Sequence, residues 1–146
     1  MARRVVSNEA TVDAPQAVVW ELIADGEGWK RWAGFTAATL EREGSPERDG
    51  VGAVRKFGVG KILSREEVTE FEAPHRLSYR LLSGLPITDY HSTVTITEID
   101  DRRCRVGWAS SFEDTGVMSF VMKGFIAVVL RNMLKRLSSY ASGSRS

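Results

Sequence analysis

Apolar and polar residues alternate in short runs over most of this chain, and the period changes after residue 115. Short alternation is the pattern of a half-buried strand. It marks strands at residues 4–12, 35–42, 51–58, 61–72, 76–83, 88–99 and 103–113. Turn-forming composition separates them: EGSPERDG at 43–50, Val59-Gly60, Ala73-Pro74-His75, Gly84-Leu85-Pro86 and Asp100-Asp101-Arg102. Between the first two strands, Asp13-Ala14-Pro15-Gln16 predicts a helix start. Asp13 is the expected cap, Pro15 opens the first turn, and Gln16 stands where a capping box places an amide. Val18, Val19, Leu22 and Ile23 share one side of this helix, Asp25-Gly26 ends it, and Trp29 to Trp32 forms a second short turn.

Residues 116–140 read GVMSFVMKGFIAVVLRNMLKRLSSY and repeat at helical spacing. Val117, Phe120, Val121, Gly124, Phe125 and Val128 form one stripe. Ile126, Val129, Leu130, Met133 and Leu137 form a second, overlapping one. Asp114 or Thr115 is placed to cap the start, and the late basic residues suit the negative end of the helix dipole. A helix apolar nearly all round cannot sit on a surface by one stripe. The pattern therefore predicts an α+β domain in which a curved sheet wraps this helix and leaves an apolar cavity beneath it. Met118, Phe120, Val121, Met122 and Phe125 are either plain core or core that also touches a ligand, and Gly124 is expected at a close approach to sheet or ligand.

Composition narrows the classes. A chain of 146 residues suits one domain with an ordered core at about 4–140 and a disordered tail at 142–146. The 20 basic and 19 acidic residues leave a net charge of +1, so no nucleic-acid footprint is expected. The most apolar run, 117–130, contains Lys123 and falls short of the roughly 20 apolar residues of a membrane span. No integral membrane segment is expected. The start carries no signal-peptide apolar region, and the single Cys104 excludes an internal disulfide, which makes a reducing cytoplasm the expected location.

Strand, two short helices, six strands and a long helix is a distinctive order. Together with Asp-Ala-Pro before Val-Val-Trp-Glu-Leu-Ile, Gly50-Val51-Gly52-Ala53-Val54-Arg55 and Arg76-Leu77-Ser78-Tyr79, it resembles the polyketide cyclase/dehydrase and lipid-transport family of the START and birch-pollen-allergen-like superfamily. The likeness covers about residues 4–140. It implies a helix-grip fold: a seven-stranded antiparallel curved sheet around a long C-terminal helix, with two short helices between strands 1 and 2. It also implies binding or transport of a small hydrophobic ligand, lipid-like or polycyclic, in an internal cavity. The alternative it carries is a polyketide aromatase/cyclase or dehydratase. Fold likeness alone does not choose between them.

Alternation assigns strand faces. Val51, Ala53, Arg55 and Phe57 share one face of the third strand; Ile62, Ser64, Glu66 and Val68 share one of the fourth. Phe57 is expected opposite Ile62, and Arg55 opposite Ser64. The sixth and seventh strands are expected to pair Val94 with Trp108 and Ile96 with Val106. Phe71 falls on the wrong face of the fourth strand, so that strand's assignment depends on the absence of a bulge. The candidate ligand-binding set is Arg55, Phe57, Glu66, Val68, Tyr79, Leu81, Tyr90, Ser92, Trp108, Ser110 and Phe112, with Val121 and Phe125 from the helix and Trp32 and Phe35 from the turn. The aromatics are either core or pocket wall. Arg55 and Glu66 either face solvent or point inward together, since an unpaired buried charge is very costly.

Other chemistry finds little support. His75 and His91 lack partners at metal-ligand spacing, so neither metal nor cofactor is expected. No nucleophile elbow is present, and Gly58-Val59-Gly60 is a hairpin turn rather than a phosphate loop. Acid–base work by Arg55, Glu66, Tyr79, Tyr90 or Ser110 is the enzymatic option that remains.

Overall fold

A computed structural model describes residues 2–143. Seven strands form one antiparallel sheet: β1 (Arg3–Val12), β2 (Ala37–Arg42), β3 (Val54–Val59), β4 (Ile62–Glu72), β5 (Arg76–Ser83), β6 (His91–Glu98) and β7 (Cys104–Glu113). Their spatial order is β1-β7-β6-β5-β4-β3-β2, so chain neighbours pair except where β1 closes onto β7. The helices α1 (Gln16–Ala24) and α2 (Trp29–Trp32) carry the chain from β1 to β2 at the far edge. The long α3 (Val117–Gly143) lies against the sheet, chiefly along β1.

Helix α3 starts where Asp114 and Ser119 take up the free amides of its first turn. The Ser119 hydroxyl oxygen accepts from the amides of Thr115 at 2.9 Å and Gly116 at 3.1 Å. Asp114 Oδ1 accepts from the Gly116 amide at 3.2 Å. That amide, with the Ser119 hydroxyl and Arg4, holds the Asp114 carboxyl below its usual range. Such side-chain acceptors supply the bonds a helix N-terminus lacks. The helix runs three residues past 140, with Ser142 Oγ donating to the Ser138 carbonyl at 2.8 Å. Of the tail expected to be disordered, Ser142 and Gly143 are thus helical, and 144–146 lie outside the described residues. By length and composition alone α3 would suit a membrane span. In this fold one side of it is core.

The two apolar stripes of α3 have opposite fates. Ile126, Leu130, Met133 and Leu137 are buried. Val117 is 82% exposed, Phe120 65% and Val121 54%. The curved sheet grips the helix on one face, and the N-terminal half carries its other apolar stripe uncovered. A Cβ at Gly124 would meet nothing within 4 Å, so no close approach is made there either.

Three further corrections have local causes. Pro15 is the N-cap of α1 without a side-chain cap bond, and Gln16 Nε2 reaches instead to the Ile96 carbonyl at 2.9 Å. Strand β6 begins at His91, three residues later than the alternation predicts, because Asp89 adopts φ +53°, a turn conformation held by Arg3 and His91 on its carboxylate. Val51 sits in a turn closed by Gly52 at φ +89° and is exposed rather than inward. Strand β4 does bulge. Val68 pairs with Tyr79 but Glu70 pairs with Ser78, so the slip at Thr69 brings Phe71 inward, 5.0 Å from Trp20.

Candidate functional site

A cavity of about 280 Å³ opens between the sheet and α3. Its ceiling is α3, through Phe125, Ile126, Val129, Leu130 and Met133. One wall is Trp29 and Phe35; the other is Tyr79 with Tyr90. The β3–β4 hairpin contributes Val59, Ile62, Ser64 and Glu66. Val59, Ile62 and Phe125 are also exposed at the surface, so with Leu85 they mark the mouth.

The hairpin register sets which polar groups face the hollow. Val59 pairs with Ile62, Phe57 with Ser64 and Arg55 with Glu66. The two-residue turn is Gly60-Lys61, one residue later than the expected Val59-Gly60, which leaves the inward faces unchanged but puts Arg55 directly opposite Glu66. The two do not form an ion pair. Arg55 is 2% exposed and its guanidinium turns to the end of α1, donating to the carbonyls of Ile23 at 3.2 Å and Ala24 at 2.6 Å, and of Asp49 at 3.1 Å. Carbonyls at a helix C-terminus lack intrahelical partners and attract a cation, and the Ile23 carbonyl accepts from Trp29 Nε1 at 2.9 Å as well. Asp49 Oδ1 stands 3.9 Å from the same nitrogen, and the Trp29 ring 5.8 Å from the guanidinium carbon. Burial lowers the Arg55 pKa, opposed by the Asp49, Glu66 and Asp25 charges. Gly26 permits this packing, since a Cβ there would stand 2.6 Å from Arg55 Nε. Arg55 is a strut between β3 and α1, outside the cavity lining.

Glu66 is left facing the hollow. Among the described residues no donor or cation meets its carboxyl at bonding distance. Burial raises it from an ordinary 4.5 to about 8, only partly opposed by the Arg55 charge. Its residual exposure is to the cavity it lines. At neutral pH this is an uncharged carboxylic acid.

Behind Tyr79 and Tyr90 runs a chain of hydroxyls. Trp108 Nε1 donates to Tyr79 Oη and Ser92 Oγ, each at 3.1 Å. Ser92 Oγ and Ser110 Oγ lie 2.9 Å apart, as do Ser110 Oγ and Tyr90 Oη. Burial pushes the Tyr79 phenol well above its usual range and Tyr90 up to about 12. Both stay protonated around neutral pH.

Of the candidate set, the cavity brings together Phe35, Glu66, Tyr79, Tyr90 and Phe125. Ser92, Trp108, Ser110 and Phe112 are buried behind that wall. Phe57 lies under it, stacked on Phe35 at 4.7 Å and on Trp29 at 5.0 Å. Trp32 is buried against Trp29, with ring centres 5.1 Å apart. Val68 and the half-buried Leu81 belong to the core beyond the hollow. Val121 is on the surface stripe. The set omitted Trp29, Val59, Leu85 and the second stripe of α3. That stripe was visible as periodicity; nothing in the periodicity says which stripe turns inward.

No curated protein matches the chain in sequence. Solved structures do. A protein from Thermobifida fusca, solved by NMR in solution, is 26% identical over 94% of this chain and 92% of its own, with a TM-score of 0.80. A START superfamily protein from Mycobacterium smegmatis superposes at a TM-score of 0.81 with 14% identity, over 95% of this chain and 97% of its own. Norcoclaurine synthase from Thalictrum flavum, in complex with dopamine and hydroxybenzaldehyde, gives 0.76 with 16% identity over 99% and 90%. These share the curved sheet and long helix described above. The profile of the polyketide cyclase / dehydrase and lipid transport family matches residues 3–141, and the chain belongs to that family.

Proposed function

We propose that this protein binds a small hydrophobic molecule in the cavity beneath α3. The observation that carries this is the hollow itself: mostly apolar walls, a mouth rimmed by exposed Val59, Ile62 and Phe125, and a few polar groups converging inside. A concave, largely apolar site with few polar groups is the usual form of a small-molecule site. Family and fold fit either ligand binding or a polyketide cyclase-like role. The neighbouring synthase, whose ligands are single-ring compounds, supports a guest of modest size.

Native mass spectrometry of the purified protein tests the reading. A co-purified apolar guest, or uptake of one from a hydrophobic library, is the expected result. A chain that carries nothing and takes up nothing would overturn it.

A second reading has its own support. A carboxylic acid neutral at pH 7 inside a closed site can act as a general acid, beside the Tyr79 hydroxyl. Turnover of a polyketide mimic, abolished in Glu66→Gln, would favour an aromatase/cyclase or dehydratase over a carrier.

A further inference from the structure

Glu66 lacks a partner inside a hollow whose size is known, and together these define a guest more narrowly. We propose that the cavity takes an uncharged one- or two-ring molecule whose carbonyl, or other hydrogen-bond-accepting oxygen, is met by the Glu66 carboxyl. This deepens the ligand-binding reading and rests on it.

Size comes first. A dry apolar cavity of about 150 Å³ accepts a benzene. The hollow here, at about 280 Å³, is a little under twice that. Two fused rings fill it, whereas a long-chain acyl group or a four-ring system exceeds it. The walls favour rings, with Trp29, Phe35, Tyr79 and Phe125 around the space.

Polarity comes second. A buried polar group left without a partner is costly, so a guest that supplies one gains by it. The other titratable groups near Glu66 are engaged. Arg55 is turned to the α1 carbonyls and Asp49, with Asp25 beyond it, and the Tyr90 hydroxyl is bonded to Ser110. Tyr79 accepts from Trp108 and also interacts with the Ser92 and Tyr90 hydroxyls. The α3 ceiling brings no charge, since Phe125, Ile126, Val129, Leu130 and Met133 form it. As an acid raised to about 8, Glu66 offers its O–H at neutral pH and loses it in alkali. An anionic guest would find no unengaged cation among the lining residues.

Tetralone and its hydrocarbon counterpart tetralin separate the oxygen contact from plain apolar burial. Their affinities are measured by calorimetry from about pH 6 to about pH 10, in wild type and in Glu66→Gln, whose amide cannot ionise. The preference for tetralone over tetralin is expected to fall about tenfold across that range in wild type, the worth of one hydrogen bond. In Glu66→Gln it is expected to stay flat. Palmitate is expected to bind more weakly than either ring compound. A pH-independent preference in wild type, or tight palmitate binding with no uptake of the two-ring probes, would overturn this inference and leave cavity binding standing. Failure of all three probes would overturn this inference, while cavity binding itself falls only if native mass spectrometry finds no guest carried or taken up.

Discussion

Arg55 and Glu66 face one another across the β3–β4 ladder, yet they serve different structures. The guanidinium turns to the carbonyl end of α1, and the carboxyl stands in the hollow. A single cross-strand pair thus joins the strut that holds the helix to the polar point of the cavity.

Arg55→Ala should act on stability before it acts on binding. It removes the Arg55 donors from the Ile23, Ala24 and Asp49 carbonyls, leaving the Ile23 carbonyl only Trp29 Nε1, and leaves Asp49 without its buried cation. A loss of about 3 kcal/mol is expected in urea unfolding. Arg55→Lys should recover only part, because an ammonium cannot span three carbonyls with a planar fork. Gly26→Ala should be destabilising in wild type and milder in the Arg55→Ala background, since its Cβ would clash with that side chain.

Glu66 should make stability fall with rising pH. Its folded-state value of about 8 lies above the ordinary 4.5, so the folded protein holds a proton the unfolded chain has released. Its contribution is whole below about pH 4.5, declines as pH rises, and is gone above about pH 8. Each tenfold change in proton affinity is worth about 1.4 kcal/mol, so Glu66→Gln should gain about 2 kcal/mol or more over wild type near pH 9. The same comparison near pH 4 should show almost no difference. Equal stability of the two proteins at both values would refute a buried neutral acid.

Loss of two partners of the hydroxyl chain together should cost less than their separate losses added. Ser110→Ala leaves the Tyr90 hydroxyl and the Ser92 hydroxyl each short of a bond. It should cost about 1–2 kcal/mol, and adding Tyr90→Phe should cost less than the sum. A thermodynamic cycle on the four proteins measures the difference.

The two stripes of α3 give a direct contrast. Val117→Ser and Val121→Ser, on the uncovered side, should each change unfolding free energy by about 0.5 kcal/mol or less. Leu130→Ala, 2% exposed and forming part of the cavity ceiling, should cost about 2–5 kcal/mol. Comparable losses on both sides would mean that something covers the outer stripe.

The succession of strands along the chain, the long helix and the two short ones were legible because periodicity reports local geometry directly. The Val94–Trp108 and Ile96–Val106 pairs were legible too, because the short loop between β6 and β7 fixes their register. Inward faces survived a hairpin error because the slip on β3 and β4 preserves parity: Ser64 and Glu66 face the hollow under either register. Three things were hidden, each for a tertiary reason. Alternation cannot see that a carbonyl cluster at the end of α1 draws Arg55 away from Glu66. It hints at the Thr69 slip only through the displaced Phe71. Two equally apolar stripes on one helix cannot be ranked without knowing where the sheet ends.

The hollow beneath α3 has a thermodynamic consequence of its own. Space left unfilled forfeits the van der Waals contacts its walls would otherwise make. The vacant protein therefore sits below the stability that the same chain reaches when occupied, by an amount that grows with the logarithm of guest concentration. Melting temperature thereby becomes a guest detector, able to rank compounds by their affinity for the hollow.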